Sequence, residues 1–234
     1  MTGRINYPFG VRGYQVAVVQ NLCEGVDAIY GSAVDGDIIE FGTGWGTTAS
    51  TLAQAMAASE AGWPTDWQDK HNVKRKRNLY LLDSFEGLPD ASHTADEDMP
   101  HVRSGYWLSG SGKALDPHQL MGQCALYLPK DRIHILEGWF TESLARIPPN
   151  TKFALVHIDC DFYQSTIEVL DYLFQNNCFA DGCRLFFDDW NCNRASNKFG
   201  ERKAWKECIE KYAPEFSDGG DYGPFGHKFI IHRG

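Results

Sequence analysis

Asp37-Ile38-Ile39-Glu40-Phe41-Gly42-Thr43-Gly44-Trp45-Gly46-Thr47 is the stretch that decides how this chain is read. A short apolar run ends in three alternating glycines. Beyond them Ala49, Leu52, Ala53 and Met56 recur at i, i+3, i+4 and i+7, the period of a helix with one buried face. Strand, glycine-rich turn and helix follow one another, and α/β sheets bind ligands at such turns. Glycine there lets the backbone come close to a ligand. The spacing is G-x-G-x-G, not the G-x-G-x-x-G of dinucleotide sites, and no G-x-x-x-x-G-K-[ST] phosphate loop occurs.

Working outward, residues 78–83, 133–137, 153–159, 183–188 and 226–232 read as further strands. Asp181-Gly182 reads as the turn before the 183–188 strand. Ser165-Thr166-Ile167-Glu168 fits a capping box, followed by a helix with Ile167, Leu170 and Phe174 on one face. Residues 204–212 read as another helix. Alternating strands and helices predict a largely parallel sheet in a single domain over residues 1–234. Residues 1–35 form a helical N-terminal segment in this reading, with a helix from about Tyr14 to Ile29 offering a face to a second subunit, as in a homo-oligomer. The polar stretch around Trp63, Pro64, Trp67 and the basic run Lys74-Arg75-Lys76-Arg77 reads as an extended, solvated loop. Residues 91–120, rich in His, Asp, Gly and Ser with Tyr106 and Trp107, read as a substrate lid inserted as a long loop.

Composition narrows the class. Lys and Arg total 22 against 31 Asp and Glu, a formal charge of −9, which speaks against nucleic-acid binding because that rests on neutralising phosphates. With 43% hydrophobic residues the chain can build a real core, which excludes a disordered protein. Seven irregularly spaced cysteines without C-x-x-C argue against a disulfide framework and a thiolate zinc site. Met1-Thr2-Gly3-Arg4-Ile5-Asn6 has no apolar leader pattern, and no stretch has the length and apolarity of a membrane span. The expectation is a cytoplasmic protein with a small-molecule partner, and neither nucleic acid nor membrane as partner.

Two constellations carry chemistry. Asp83, ending the second strand, can accept both hydroxyls of a ribose. It lies 43 residues after Glu40, against about 20 in the dinucleotide fingerprint, which requires an insertion. Asp159 and Asp161 end the fourth strand, and Asp188 and Asp189 the fifth. Neighbouring parallel strands bring both pairs to one sheet edge, where packed carboxylates need protons, cationic partners or a hard metal ion, Mg²⁺ first. Helix capping and pairing with Lys or Arg are the alternatives for individual acids.

These residues resemble the class I S-adenosylmethionine-dependent methyltransferases, specifically the macrocin O-methyltransferase family of macrolide-sugar enzymes. The resemblance runs from Gly36 to about Lys203. Its markers are Glu40-Phe41-Gly42-Thr43-Gly44-Trp45-Gly46, Asp83-Ser84-Phe85-Glu86-Gly87-Leu88-Pro89, Gly138-Trp139-Phe140, His157-Ile158-Asp159-Cys160-Asp161-Phe162-Tyr163-Gln164-Ser165-Thr166 and Asp188-Asp189-Trp190.

What the resemblance implies is a Rossmann-like α/β fold: a seven-stranded, mostly parallel sheet with an antiparallel last strand and helices on both faces. S-adenosyl-L-methionine is the implied co-substrate. The turn Gly42-Thr43-Gly44-Trp45-Gly46 would pass under its methionine part and Glu40 would meet the amino group. Asp83 would hold the ribose, Ser84 would sit near the adenine, Gly138-Trp139 would complete the pocket, and Asp159 would border the donor. Mg²⁺ would sit on Asp159, Asp188 and Asp189, with Asp161 as a further acid. The lysine of catechol-type relatives is replaced here by Phe162, so the base lies among His157, Asp161, His227, His101 and His118. Asp159, Asp161 and His157 form the expected catalytic set. Trp139, Tyr106, Trp107 and Trp190 are candidate pocket walls.

The implied reaction is O-methylation of a hydroxyl on a sugar or other small natural product. A nicotinamide-dependent oxidoreductase on a related sheet and a non-catalytic adenosyl-binding module are the rival readings. The glycine spacing, the four acids and the lack of a Tyr-Lys pair speak against the oxidoreductase.

Overall fold

A computed structural model describes residues 9–71, 76–91 and 94–233. The chain runs α1 (Phe9–Gly31), β1 (Asp37–Phe41), α2 (Thr47–Gly62), α3 (Thr65–Lys70) and β2 (Leu79–Asp83). Next come α4 (Thr94–Glu97), α5 (Pro100–Arg103), α6 (Pro117–Cys124), β3 (Ile133–Glu137), α7 (Phe140–Ser143) and β4 (Phe153–Ile158). It ends with α8 (Tyr163–Gln175), β5 (Phe179–Phe187), α9 (Gly200–Tyr212), β6 (Glu215–Tyr222) and β7 (Gly226–His232). The seven strands form one sheet in the order β3-β2-β1-β4-β5-β7-β6. Strands β1 to β5 pair in parallel, and β7 is antiparallel to both β5 and β6. This is the fold expected from the sequence.

Central strands sandwiched between helices bury both faces, which is why β1, β2 and β4 are near-continuous apolar runs. Successive side chains point to opposite faces. Ile38, Leu79, Leu81, Leu155 and Phe186 pack with α1, α2 and α6 on one side. Ile39, Phe41, Leu82, Val156, Ile158 and Phe187 pack with α8 and α9 on the other. The predicted face of α2, Ala49, Leu52, Ala53 and Met56, is fully buried. All seven cysteines are unpaired. No described helix is long and apolar enough to cross a membrane.

Several local expectations are corrected. The helix after β4 begins at Tyr163, so Ser165 is already inside it and the predicted capping box does not form. The Asp96 carboxylate caps it instead, accepting from Tyr163 N at 2.7 Å and Gln164 N at 3.1 Å. β5 begins at Phe179 and runs through Asp181-Gly182 rather than after a turn. The stretch before β2 is not an extended loop: α2 continues to Gly62 and α3 follows. Nor is its basic run all solvated. Arg77 is fully buried, donating to the carbonyls of Val34 and Gly36 and lying 4.5 Å over the Tyr30 ring, where it ties the end of α1 to the start of β2. Lys74 and Arg75 lie outside the described residues, as do residues 1–8 of the N-terminal segment and residues 92–93 of the insertion.

The insertion at 91–120 is not a structureless loop. It carries α4, α5 and the start of α6, and Met99 and Trp107 pack with Phe162 in a small core of their own. Strand β6 is not anticipated by the sequence pattern; its polar residues suit an edge strand paired only through β7. The Asp96 cap gives a direct test. Replacing an N-terminal cap by Ala costs about 0.5–2 kcal/mol, so Asp96→Ala should lower the urea midpoint accordingly while Ser165→Ala leaves it in place. The reverse pattern would restore the capping box.

Candidate active site

The sheet aims the site. Phe41, Ile158 and Phe187 are in register on β1, β4 and β5. The ladder continues one residue further, with Asp159 N donating to Phe41 O and Asp188 N to Ile158 O, both at 2.9 Å. Two acids of separate strands thus leave the same edge side by side. A Cβ on Gly42 would lie 1.9 Å from the Asp159 carbonyl oxygen, at φ +83°. Only glycine lets the turn pass this close to β4.

Beyond that edge opens a cavity of about 310 Å³. Among the residues expected at the donor, Gly42, Gly44, Asp83, Ser84, Trp139 and Asp159 line it. The others stand behind it or at its margin. Thr43 is buried and donates from N (2.7 Å) and Oγ1 (3.1 Å) to Asp83 Oδ2, while Phe85 N donates to Oδ1 at 2.7 Å, so the Asp83 carboxylate is fixed in orientation. Gly138 shapes the turn before Trp139 at φ +123°. Gly46 meets α6, where a Cβ would lie 2.6 Å from Gln123 Oε1. Trp45 is 74% exposed.

Glu40 is fully buried and does not line the cavity; its Oε1 accepts from His157 Nδ1 at 2.9 Å. His157 Nε2 lies 3.7 Å from Asp188 Oδ1. Burial alone would lower the His157 pKa, but the two carboxylates outweigh it and push it up to about 10. The imidazolium therefore sits as a fixed positive charge between Glu40 and Asp188, away from the cavity. His227 is likewise engaged, with Asp221 and Asp218 and stacked on Trp190. His101 Nδ1 lies 2.7 Å from Asn193 Oδ1, and its ring stacks on the buried Trp107. His118 sits in the first turn of α6. Trp190 packs against His227 and Arg202 and Tyr106 is exposed, so of the four aromatic candidates Trp139 alone lines the cavity.

Asp159, Asp188 and Asp189 bring carboxylate oxygens within 4.8 Å of one another. Burial, then neighbouring charge, raises Asp159 and Asp189 well above the usual carboxylate range. Asp161 lines the cavity at φ +58°, and burial with the Asp159 charge pushes its pKa up to about 8. A fifth acid, Glu201, is buried and accepts from Asp189 N at 3.0 Å, and its Oε1 has no hydrogen-bond partner among the described residues. An oxygen-only set this crowded fits a hard divalent cation.

The insertion brackets both acid-bearing loops. Asp96 holds the start of α8, just after Asp161, and His101 and Met99 engage Asn193, just after Asp189. Asn193, Arg194 and Ala195 are all left-handed, with φ of 53°, 63° and 52°. Such a run costs about 1–2 kcal/mol per residue and needs the surrounding contacts to hold it.

A model of the macrocin-O-methyltransferase (TylF) family matches residues 15–212. The chain belongs to this family. Among curated relatives, the 8-demethyl-8-(2,3-dimethoxy-alpha-L-rhamnosyl)-tetracenomycin-C 4'-O-methyltransferase of Streptomyces olivaceus is 26% identical over 74% of this chain and 59% of that protein. The demethyldecarbamoylnovobiocin O-methyltransferase of Streptomyces niveus is 27% identical over 67% of this chain and 54% of that protein. The chain thus spans less than two-thirds of the length of these relatives. Among solved structures, the O-methyltransferase NovP superposes with a TM-score of 0.69 at 22% identity, covering 93% of this chain and 81% of that one. That likeness supports the class I methyltransferase fold.

Within this TylF-family chain, sequence reasoning missed Glu201, Asp96 and Asn193, each of which reaches the acid-bearing loops from a separate element. A glutamate opening a helix gives no sign that it will be buried, and Asp96 is 67 residues from the backbone it caps.

The raised carboxyl pKa values fix a pH dependence. The folded state keeps protons on Asp159, Asp161, Asp189 and Glu201 that the unfolded chain has released, so stability is full below the unfolded values and falls as pH rises. In EDTA the melting temperature should drop between about pH 5 and pH 8, and Mg²⁺ should flatten the slope. A melting temperature that rises over that window, or a slope indifferent to Mg²⁺, would contradict the cluster's ionisation.

Proposed function

We propose that the chain is an S-adenosyl-L-methionine-dependent, Mg²⁺-dependent O-methyltransferase acting on a sugar hydroxyl of a natural product. The observation that carries this reading is the placement of the Asp159-Asp188-Asp189 oxygens beside a cavity that opens at the glycine turn. Both curated relatives are named as O-methyltransferases, and the rhamnosyl group in the name of the Streptomyces olivaceus protein supports a sugar acceptor.

In this reading the donor lies along Gly42 and Gly44, with its ribose hydroxyls on the free lone pairs of Asp83 and its adenine between Ser84 and Trp139. Thr43 and Phe85 N pre-set the Asp83 carboxylate, so little ordering is left to the binding step. Asp159, Asp188 and Asp189 would hold Mg²⁺, which when bound supplies acidity and orientation to the acceptor hydroxyl. The hydroxyl oxygen attacks the methyl carbon in line, the carbon–sulfur bond breaks, and its electron pair stays on sulfur. Asp161, in its ionised form, takes the hydroxyl proton: it lines the cavity beside Asp159, whereas His157 is sealed between Glu40 and Asp188. His157 and Glu40 serve instead to orient Asp188. The insertion at 94–107 walls the acceptor side and excludes water.

Turnover should separate from donor binding. Asp188→Ala and Asp161→Asn should each lower kcat by about a hundredfold or more. Calorimetry should show S-adenosylhomocysteine affinity in EDTA within about threefold of the parent. The assay uses deoxysugar-bearing natural products that differ in a single hydroxyl. Full turnover by Asp188→Ala at limiting Mg²⁺ would remove the cation assignment, and full turnover by Asp161→Asn would remove the base.

A further inference from the structure

Three consecutive residues at the start of α9 touch the two acid-bearing loops. A Cβ on Gly200 would stand 3.2 Å from the Asp161 carbonyl oxygen. Glu201 Oε2 accepts from Asp189 N at 3.0 Å. Arg202 donates from Nε to Trp190 O at 2.8 Å and from Nη2 to Asn191 Oδ1 at 2.5 Å, with its guanidinium over the Trp190 ring. Glu201 is the member that local structure does not explain. Any small polar side chain could accept one main-chain N–H, yet a full carboxylate is 1% exposed here. It makes no ion pair among the described residues, and it feels the charges of Asp189, Asp188, Asp159 and Asp161. Burying such a charge is costly unless something positive compensates it. Its Oε1 is buried and has nothing to accept from among the described residues.

We propose that Glu201 is a positioning residue of the cation site: Oε2 fixes the main chain of Asp189, and Oε1 accepts a hydrogen bond from the hydration shell of the bound divalent ion. The inference rests on the metal reading above and extends it to a residue outside the ligand set. Outer carboxylates of this kind orient ligands and complete the coordination of the ion's waters. Without the ion the same buried acid has nothing positive to compensate it, a cost to the cation-free protein that an uncharged amide would not carry.

Mn²⁺ titration of the full chain, followed by the loss of the free-ion electron paramagnetic resonance signal, tests it together with melting curves in EDTA. Glu201→Gln keeps an oxygen for Asp189 N and removes the charge. Its Mn²⁺ Kd should rise about tenfold, in the range found for outer-sphere partners, while its melting temperature in EDTA stays equal or rises. S-adenosylhomocysteine affinity in EDTA should not change. Glu201→Ser, which retains an oxygen at the helix start, should weaken Mn²⁺ in the same way and serves if the Gln variant does not fold. Parent-like Mn²⁺ affinity in a folded variant, or a lower EDTA melting temperature with Mn²⁺ affinity intact, would reduce Glu201 to a structural cap and overturn the proposal. Absence of Mn²⁺ binding by the parent chain would instead overturn the metal reading, and this inference with it.

Discussion

Buried negative charge at the ends of β4 and β5 is the constraint around which the rest of the molecule is arranged. The parallel ladder forces Asp159 and Asp188 to emerge together, and Asp189, Asp161 and Glu201 crowd into the same low-dielectric corner. Such a group of carboxylates is unstable by itself. One compensation is internal: the His157 imidazolium, fully buried and held by Glu40, places a positive charge behind Asp188. It also explains why the acid before the first glycine faces the sheet interior. The remaining charge is left to protons or a cation, and the proposed methyl transfer has a use for the cation.

The fold supplies rigidity where that charge is held and openness where the proposed donor enters. Gly42 allows β1 to turn against β4 with no room for a side chain, whereas Gly44 faces open space in the cavity. The insertion between β2 and β3 is tied to both acid-bearing loops, through Asp96 on α8 and His101 on Asn193. Its outer residues Tyr106 and Leu108 are exposed.

Much of this is legible in the amino-acid sequence alone. The apolar run of β1, the glycine turn and the 3.6-residue period of α2 are local signals, and each appears as read. The strand-end acids are legible too, because parallel strands put their C-terminal ends at one edge. What the sequence hides depends on tertiary contact. Arg77 looks like the end of a solvated basic run until two carbonyls from the α1–β1 corner claim it. Ser165 and Glu168 satisfy the capping pattern, yet a distant carboxylate starts the helix three residues earlier. Glu201 sits in a helix with a polar, charged sequence, where nothing distinguishes it from its solvated neighbours.

An adenosyl donor at the glycine turn, with a cation site beside it and separable from it, is the centre of this reading of the molecule. Calorimetric titration with S-adenosylhomocysteine and with NADH, each in EDTA and in Mg²⁺, tests it most directly. S-adenosylhomocysteine should bind under both conditions, and NADH should not bind under either. Binding of NADH alone would contradict the donor site and leave the buried aspartates in need of another explanation.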